Sequence, residues 1–279
     1  MSVVASVKVY DGIVLGAESM TALFASLPGQ APQWVKSYAN AQKLFQIVER
    51  LGILTYGAGN IGPRSIESFA HEFNRAEMAR RKEPTHENEP LDVGQIAQRF
   101  FAFLQGHYDA GFGTLPDAQK PVMGFVVAGY CDGQHLASWW EFLLPLATEA
   151  VEIAPLDNVG AIWRGIGTPF TRLMFGIDPD FEQRLRAGGA SDDEVNRFQT
   201  VAQQAATQVA FNGMPLADAV GYCRFIIQTT IGWCKYAPGQ AACGGPIKLA
   251  AITPGDGFRW VTRQKPYLEG EHDADPHQE

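Results

Sequence analysis

Ser2 is the residue whose type and place bring the most chemistry into this chain. With Met1 removed, it would carry a hydroxyl and a free α-amine together, a nucleophile and its base on one residue. An α-amine titrates near ~8, so much of it is neutral without special tuning. The plainer alternative is that Met1 stays and Ser2 only begins an edge strand. The other reactive groups offer less. Cys131, Cys223, Cys234 and Cys243 form no CxxC pair and read as free, mostly buried thiols. The histidines are scattered, and His71-Glu72 lacks the second histidine of a metalloprotease helix, so neither a metal nor a cofactor is expected. Gly57-x-Gly59-x-x-Gly62 fits a dinucleotide-binding fingerprint. That reading also needs a second parallel strand ending in an acid. Residues 75–92 read instead as a helix end and a polar loop containing Pro84 and Pro90.

The elements around these residues follow from periodicity and punctuation. Val3, Val4, Val7 and Val9, then Asp11-Gly12, then Ile13, Val14 and Leu15 predict a β-hairpin over residues 2–17 that leads to Glu18. Residues 19–42 read as loop, with Pro28-Gly29 and Pro32 as breakers. Short strands are expected over 43–47 and 52–56. A helix is expected to start at Pro63, where Ile66, Phe69, Ala70, Phe73 and Ala76 repeat at helical spacing, and a second to span about 92–105. Further strands are expected at 122–130, 135–143 and 159–164, with Cys131-Asp132-Gly133 as a hairpin turn. Helices follow at 168–175, 192–211 and 215–234, and a last strand pair at 247–252 and 258–261. Strands followed by paired helices, repeated, predict a layered sandwich rather than a doubly wound sheet.

The totals set outer bounds. The chain has 279 residues, a net charge of −8 and no Lys/Arg-rich run, which argues against nucleic acid as a partner. No apolar stretch reaches the ~18–20 residues of a membrane span. Residues 2–17 are too interrupted by Lys8 and Asp11 to read as a secretory signal, so a cytoplasmic location is expected. The acidic, polar residues 266–279 are expected to be a disordered tail beyond a single domain over 2–265.

Several strings, in order, resemble the proteasome β-subunit type of N-terminal nucleophile hydrolase. They are Asp11-Gly12-Ile13-Val14-Leu15-Gly16-Ala17-Glu18-Ser19, Gln42-Lys43-Leu44-Phe45-Gln46-Ile47, Thr55-Tyr56-Gly57-Ala58-Gly59, Val126-Val127-Ala128-Gly129-Tyr130, Cys243-Gly244-Gly245-Pro246-Ile247 and Ala251-Ile252-Thr253. The resemblance covers most of 2–261. It implies an α+β fold, a four-layer α-β-β-α sandwich with two antiparallel-rich sheets flanked by helices. It also implies peptide-bond hydrolysis by Ser2, with Lys43 beside the nucleophile, Glu18 holding Lys43, and the Gly57 N–H as oxyanion donor. Peptides or unfolded proteins would be the substrate, in a homo-oligomeric ring that an ATPase unfoldase could feed.

This chain departs from the family pattern at three places. Gly165-Ile166-Gly167-Thr168 stands where the family has Gly-Ser-Gly, so Ile166 replaces a hydroxyl for which Thr168 is the nearest substitute. Gln240 stands where the family has an aspartate, and Cys243 where it has a serine. Two alternatives therefore stay open on the same fold, an inert ring subunit and an amidase acting on small amides.

Overall fold

Val3–Val9 (β1) and Gly12–Ala17 (β2) form the expected antiparallel hairpin, with Val9 opposite Gly12 and Val4 opposite Ala17. Every residue of both strands is buried, so one face cannot be solvent and each must meet its own core. The computed structural model describes residues 2–25, 33–153, 158–239, 241 and 243–262. Within them the fold is α+β with antiparallel sheets. The expected tail 266–279 lies outside the described residues.

Residues 19–42, expected as loop, contain two strands, Thr21–Ala25 (β3) and Gln33–Tyr38 (β4), paired with Thr21 opposite Tyr38. The prolines and Gly29 lie between these strands in sequence and do not bear on Trp34, Val35 and Tyr38, which favour extended backbone. Leu44–Ile47 (β5) and Leu51–Gly57 (β6) follow as expected. A small hairpin, Asn60–Ile61 (β7) and Arg64–Ser65 (β8), then delays the first helix. That helix, Ile66–Arg80 (α1), starts after Ser65, whose side chain accepts from the Ser68 N–H; Pro63 sits in the turn before it.

Val93–Phe112 (α2) runs past Gln105 because the apolar spacing continues through Tyr108, which is buried and donates to the Pro121 carbonyl at 2.8 Å. Met123–Gly129 (β9) and Ser138–Leu144 (β10) pair antiparallel, and Val151–Glu152 (β11) extends that sheet. Gly160–Gly165 (β12) leads into Thr168–Phe175 (α3). Phe181–Ala187 (α4) was not expected from periodicity. Asp192–Ala205 (α5) stops short of residue 211. Its chain turns extended at Ala206, the Thr207 N–H binds the Met174 carbonyl at 2.7 Å, and Val209 and Phe211, half-buried, pack against the α6 core instead. Leu216–Tyr236 (α6), Lys248–Thr253 (β13) and Gly257–Thr262 (β14) complete the order.

One five-stranded sheet has the order β12-β1-β2-β13-β14 and the other β11-β10-β9-β6-β5. Val4, Leu15 and Ile252 from the first meet Leu54, Val126 and Trp139 from the second in a shared apolar layer. Trp139 donates its indole N–H to the Ser6 hydroxyl at 2.8 Å, and the Lys8 ammonium lies 4.6 Å from the Trp139 ring. Phe69, Phe73 and Phe100 of α1 and α2 pack on Phe125 and Phe142 of the second sheet. Phe170 of α3 and Ile226 and Ile227 of α6 pack on Val3, Ala5 and Val7 of the first. Among the described residues no helix is long and apolar enough to cross a membrane.

Between α1 and α2, Glu77 takes both Arg99 Nε (3.0 Å) and Nη2 (2.6 Å), and Arg80 pairs with Glu89 at 2.7 Å. The hydrogen bond from Arg80 holds the Glu89 carboxyl down to about 2. A carboxylate depressed in the folded state stabilises it fully above its unfolded pKa of ~4.3 and ceases to do so as pH falls through about 2. Glu89→Gln is therefore expected to lower the melting temperature at pH 7, by an amount that shrinks as pH falls through about 2, measured by calorimetry across that range.

Candidate active site

The start of β1, the end of β2, the start of β5 and the end of β6 meet at one edge of the two sheets. Ser2, Lys43 and Gly57 line a single cleft there, of about 800 Å³, together with Met20, Thr21, Gln42, Thr55, Tyr56 and Ser65. That volume lies within the range of small-ligand sites. Ser2, 4% exposed, is placed by main chain. Its carbonyl accepts the Ile166 N–H at 2.8 Å, and Val3 pairs with Gly165. Gly165 has φ +82°, and a Cβ there would come within 1.9 Å of the Ser2 carbonyl oxygen. No other residue type fits beside Ser2 without moving it.

Glu18 and Lys43 form a buried ion pair, with Lys43 lining the same cleft as Ser2. The Glu18 side chain is fully buried and that of Lys43 is 9% exposed. Desolvating two charges is costly unless every lone pair and proton finds a partner. Glu18 meets that requirement with the Lys43 ammonium on one oxygen and the N–H groups of Met20 (2.7 Å) and Gly244 (3.2 Å) on the other. The ammonium also donates to the Met20 carbonyl. An ammonium has three N–H donors. Two are used among the described residues, which leaves one for a group in the cleft.

The turn that supplies Gly244 is itself pinned. The Gly244 carbonyl accepts the Ser19 and Met20 N–H groups at 3.2 and 2.9 Å, and the Ser19 hydroxyl donates to the Pro246 carbonyl at 2.5 Å. Gly57 ends β6 at φ +90°, and a Cβ there would meet the Val122 carbonyl oxygen at 2.4 Å. Its backbone can therefore face the cleft only as glycine. Burial raises the Tyr56 phenol above its usual range, and the nearby Glu141 charge adds to this, so the hydroxyl stays neutral.

The structure thus brings Ser2, Glu18, Lys43 and Gly57 to one place. The supporting residues differ. Thr168 opens α3 and is not among the residues lining the cleft. Ile166 touches Ser2 through its backbone N–H, while its side chain packs against the α6 core. Cys243 lies behind the ion pair, 2% exposed, and its Sγ is 3.1 Å from Cys234 Sγ. Burial, and then this contact, push the Cys243 thiol up, so it stays protonated. Gln240 lies outside the described residues. Sequence reasoning missed Met20, which acts only through backbone groups that every residue type except proline has. It saw Gly244 as part of a turn, without its bond to Glu18. Among the described residues no group of three or more His, Cys, Asp or Glu could hold a metal ion. No known family model matches the chain. No curated protein matches it either.

Lys43→Met leaves a buried carboxylate without its cation. It is expected to lower the unfolding free energy by about 3–5 kcal/mol, and Glu18→Gln/Lys43→Met together by less than Lys43→Met alone, in urea titrations. Gly165→Ala is expected to cost at least about 1–3 kcal/mol by the same measurement, because both its φ and the space around it resist a side chain.

Proposed function

We propose that the chain is a proteasome-like peptidase of the N-terminal nucleophile type, built as a four-layer α-β-β-α sandwich. The observation that carries this reading is that Ser2, Lys43 and Gly57 share one cleft while Glu18 is buried behind Lys43. In this mechanism removal of Met1 converts the Ser2 nitrogen from an amide into an amine. The amine takes the hydroxyl proton as Ser2 Oγ attacks a peptide carbonyl. The third N–H of Lys43 faces the developing negative charge and favours the ionised oxygen. The Gly57 N–H donates to the carbonyl oxygen as it becomes an oxyanion, an effect commonly worth about 3–4 kcal/mol. The protonated amine then gives its proton to the leaving amine. An ester to Ser2 remains, and water, activated by the same amine, hydrolyses it.

Glu18 fixes Lys43 in this scheme and does not touch substrate. The rest of the cleft suits an extended peptide, because Thr21, Ala22, Gly57 and Gly59 border it and offer backbone donors and acceptors. By the same resemblance we propose a homo-oligomeric ring. An ATPase partner belongs to that proposal as well.

One observation favours a second reading. Ile166 gives Ser2 a backbone N–H but no hydroxyl, so the α-amine lacks one of the groups that orient it in the family. That suits an inert ring subunit on the same fold. A single experiment separates the two. The purified chain, with Met1 loss checked by intact mass, is treated with a peptide epoxyketone and mapped by mass spectrometry. The expected result is one adduct at Ser2, absent in Ser2→Ala and formed about 10²–10⁴-fold more slowly in Lys43→Ala. A free Ser2 amine with no adduct would favour the inert subunit.

A further inference from the structure

We infer that Cys234 and Cys243 are a reversible disulfide site that controls how Glu18 is held. Cys234 lies in the last turn of α6, and Cys243 heads the turn that carries Gly244. Both are free and buried, at 4% and 2% exposure, and their sulfurs are 3.1 Å apart. A disulfide bond is about 2.05 Å long, so closing the pair takes about one ångström of movement. The other two thiols have different surroundings. Cys223 Sγ points at the Ala5 carbonyl at 3.6 Å, and Cys131 accepts the Val93 N–H at 3.4 Å. Neither contact involves another sulfur.

The oxidant is a small-molecule disulfide such as glutathione disulfide. The Cys234 thiolate attacks one of its sulfurs and releases the first glutathione thiol. Opening of the last turn of α6 admits water to Cys243 and relieves the burial that keeps it protonated; its thiolate then attacks the Cys234 sulfur of the mixed disulfide and releases the second. The two cysteines lose two electrons and two protons, and the reagent is reduced to two thiols. The pair is shielded, so attack waits on opening of the final turn of α6. Trp233, Lys235 and Tyr236 are already exposed there, and helix ends open more readily than cores. Exchange is therefore slow, on the scale of minutes to hours.

The consequence falls on the ion pair. Gly244 follows Cys243 directly, and its N–H reaches Glu18 at 3.2 Å, already long for a bond to a carboxylate. Drawing Cys243 toward Cys234 takes that donor off Glu18 and loosens the Gly244 carbonyl from the Ser19 and Met20 N–H groups. The bearing on hydrolysis rests on the function proposed above, whereas the cross-link and its effect on residues 18–20 do not.

The test is to equilibrate the whole protein in glutathione buffers of rising potential, alkylate, digest and map. The expected product is a peptide joined through Cys234 and Cys243, reversed by dithiothreitol and absent in Cys234→Ala, with Cys131 and Cys223 still alkylated after denaturation. Hydrogen exchange of the Ser19 and Met20 amides is expected to rise about tenfold in the oxidised form and to be unaffected by oxidant in Cys234→Ala. Failure to form the cross-link overturns the inference. So does a cross-link that leaves exchange at Ser19 and Met20 unchanged. A chain that fails to label at Ser2 yet shows both effects overturns the peptidase and keeps the switch.

Discussion

A buried carboxylate must be surrounded by donors, and Glu18 is where this fold meets that demand. Its side chain has no exposed surface, so it needs the Lys43 ammonium, the Met20 N–H and the Gly244 N–H together. Those donors come from the start of β5, the residues just after β2, and the turn before β13. The pair therefore ties the two sheets together at the edge where Ser2 sits. Its charge is fixed in place, since moving Lys43 would strand an anion in a low-dielectric interior. A cation held so firmly beside a cleft is a poor contributor to stability by itself and a good one to electrostatics.

The strand order explains why the cleft forms at this edge. β1 lies between β12 and β2, so Ser2 is held from the β12 side by Ile166 while Glu18 leaves β2 on the other side. The apolar layer of Val4, Leu15, Leu54 and Val126 keeps the second sheet close enough for Lys43 and Gly57 to reach the same space. Lys8 points into that layer and is fully buried over Trp139. The Trp139 ring face is among its contacts and attracts the ammonium.

Local signals made part of this legible. The β-branched run before Asp11-Gly12 marked the first hairpin, and Ile66, Phe69 and Phe73 marked the buried face of α1. The grouping of residues 2, 18, 43 and 57 was not a local signal. It came from the order of several weak strings, because no spacing rule states which strands will be neighbours. β3 and β4 are not legible in sequence because Pro28-Gly29 and Pro32, which lie between them, signal a break across the whole segment. Met20 was invisible because its contribution is a carbonyl and an N–H. The contact of Cys234 with Cys243 was unreadable because it depends on where α6 ends relative to the turn at Gly244.

Under the proposed function, the departures at Ile166 and Cys243 separate two tasks that hydroxyl side chains would otherwise share. One is to place residue 2, and here main chain does it, through the Ser2 carbonyl on the Ile166 N–H and the close fit of Gly165. The other is to orient the amine, and neither side chain is suited to it. Ile166 packs toward α6, and the Cys243 thiol faces Cys234. With the thiols reduced, the Glu18–Lys43 pair is untouched by either change, since its donors are backbone groups and one ammonium. The electrostatic part of the site therefore survives substitutions that remove its hydroxyls, because charge stabilisation depends on burial and strand order while amine orientation depends on individual side chains.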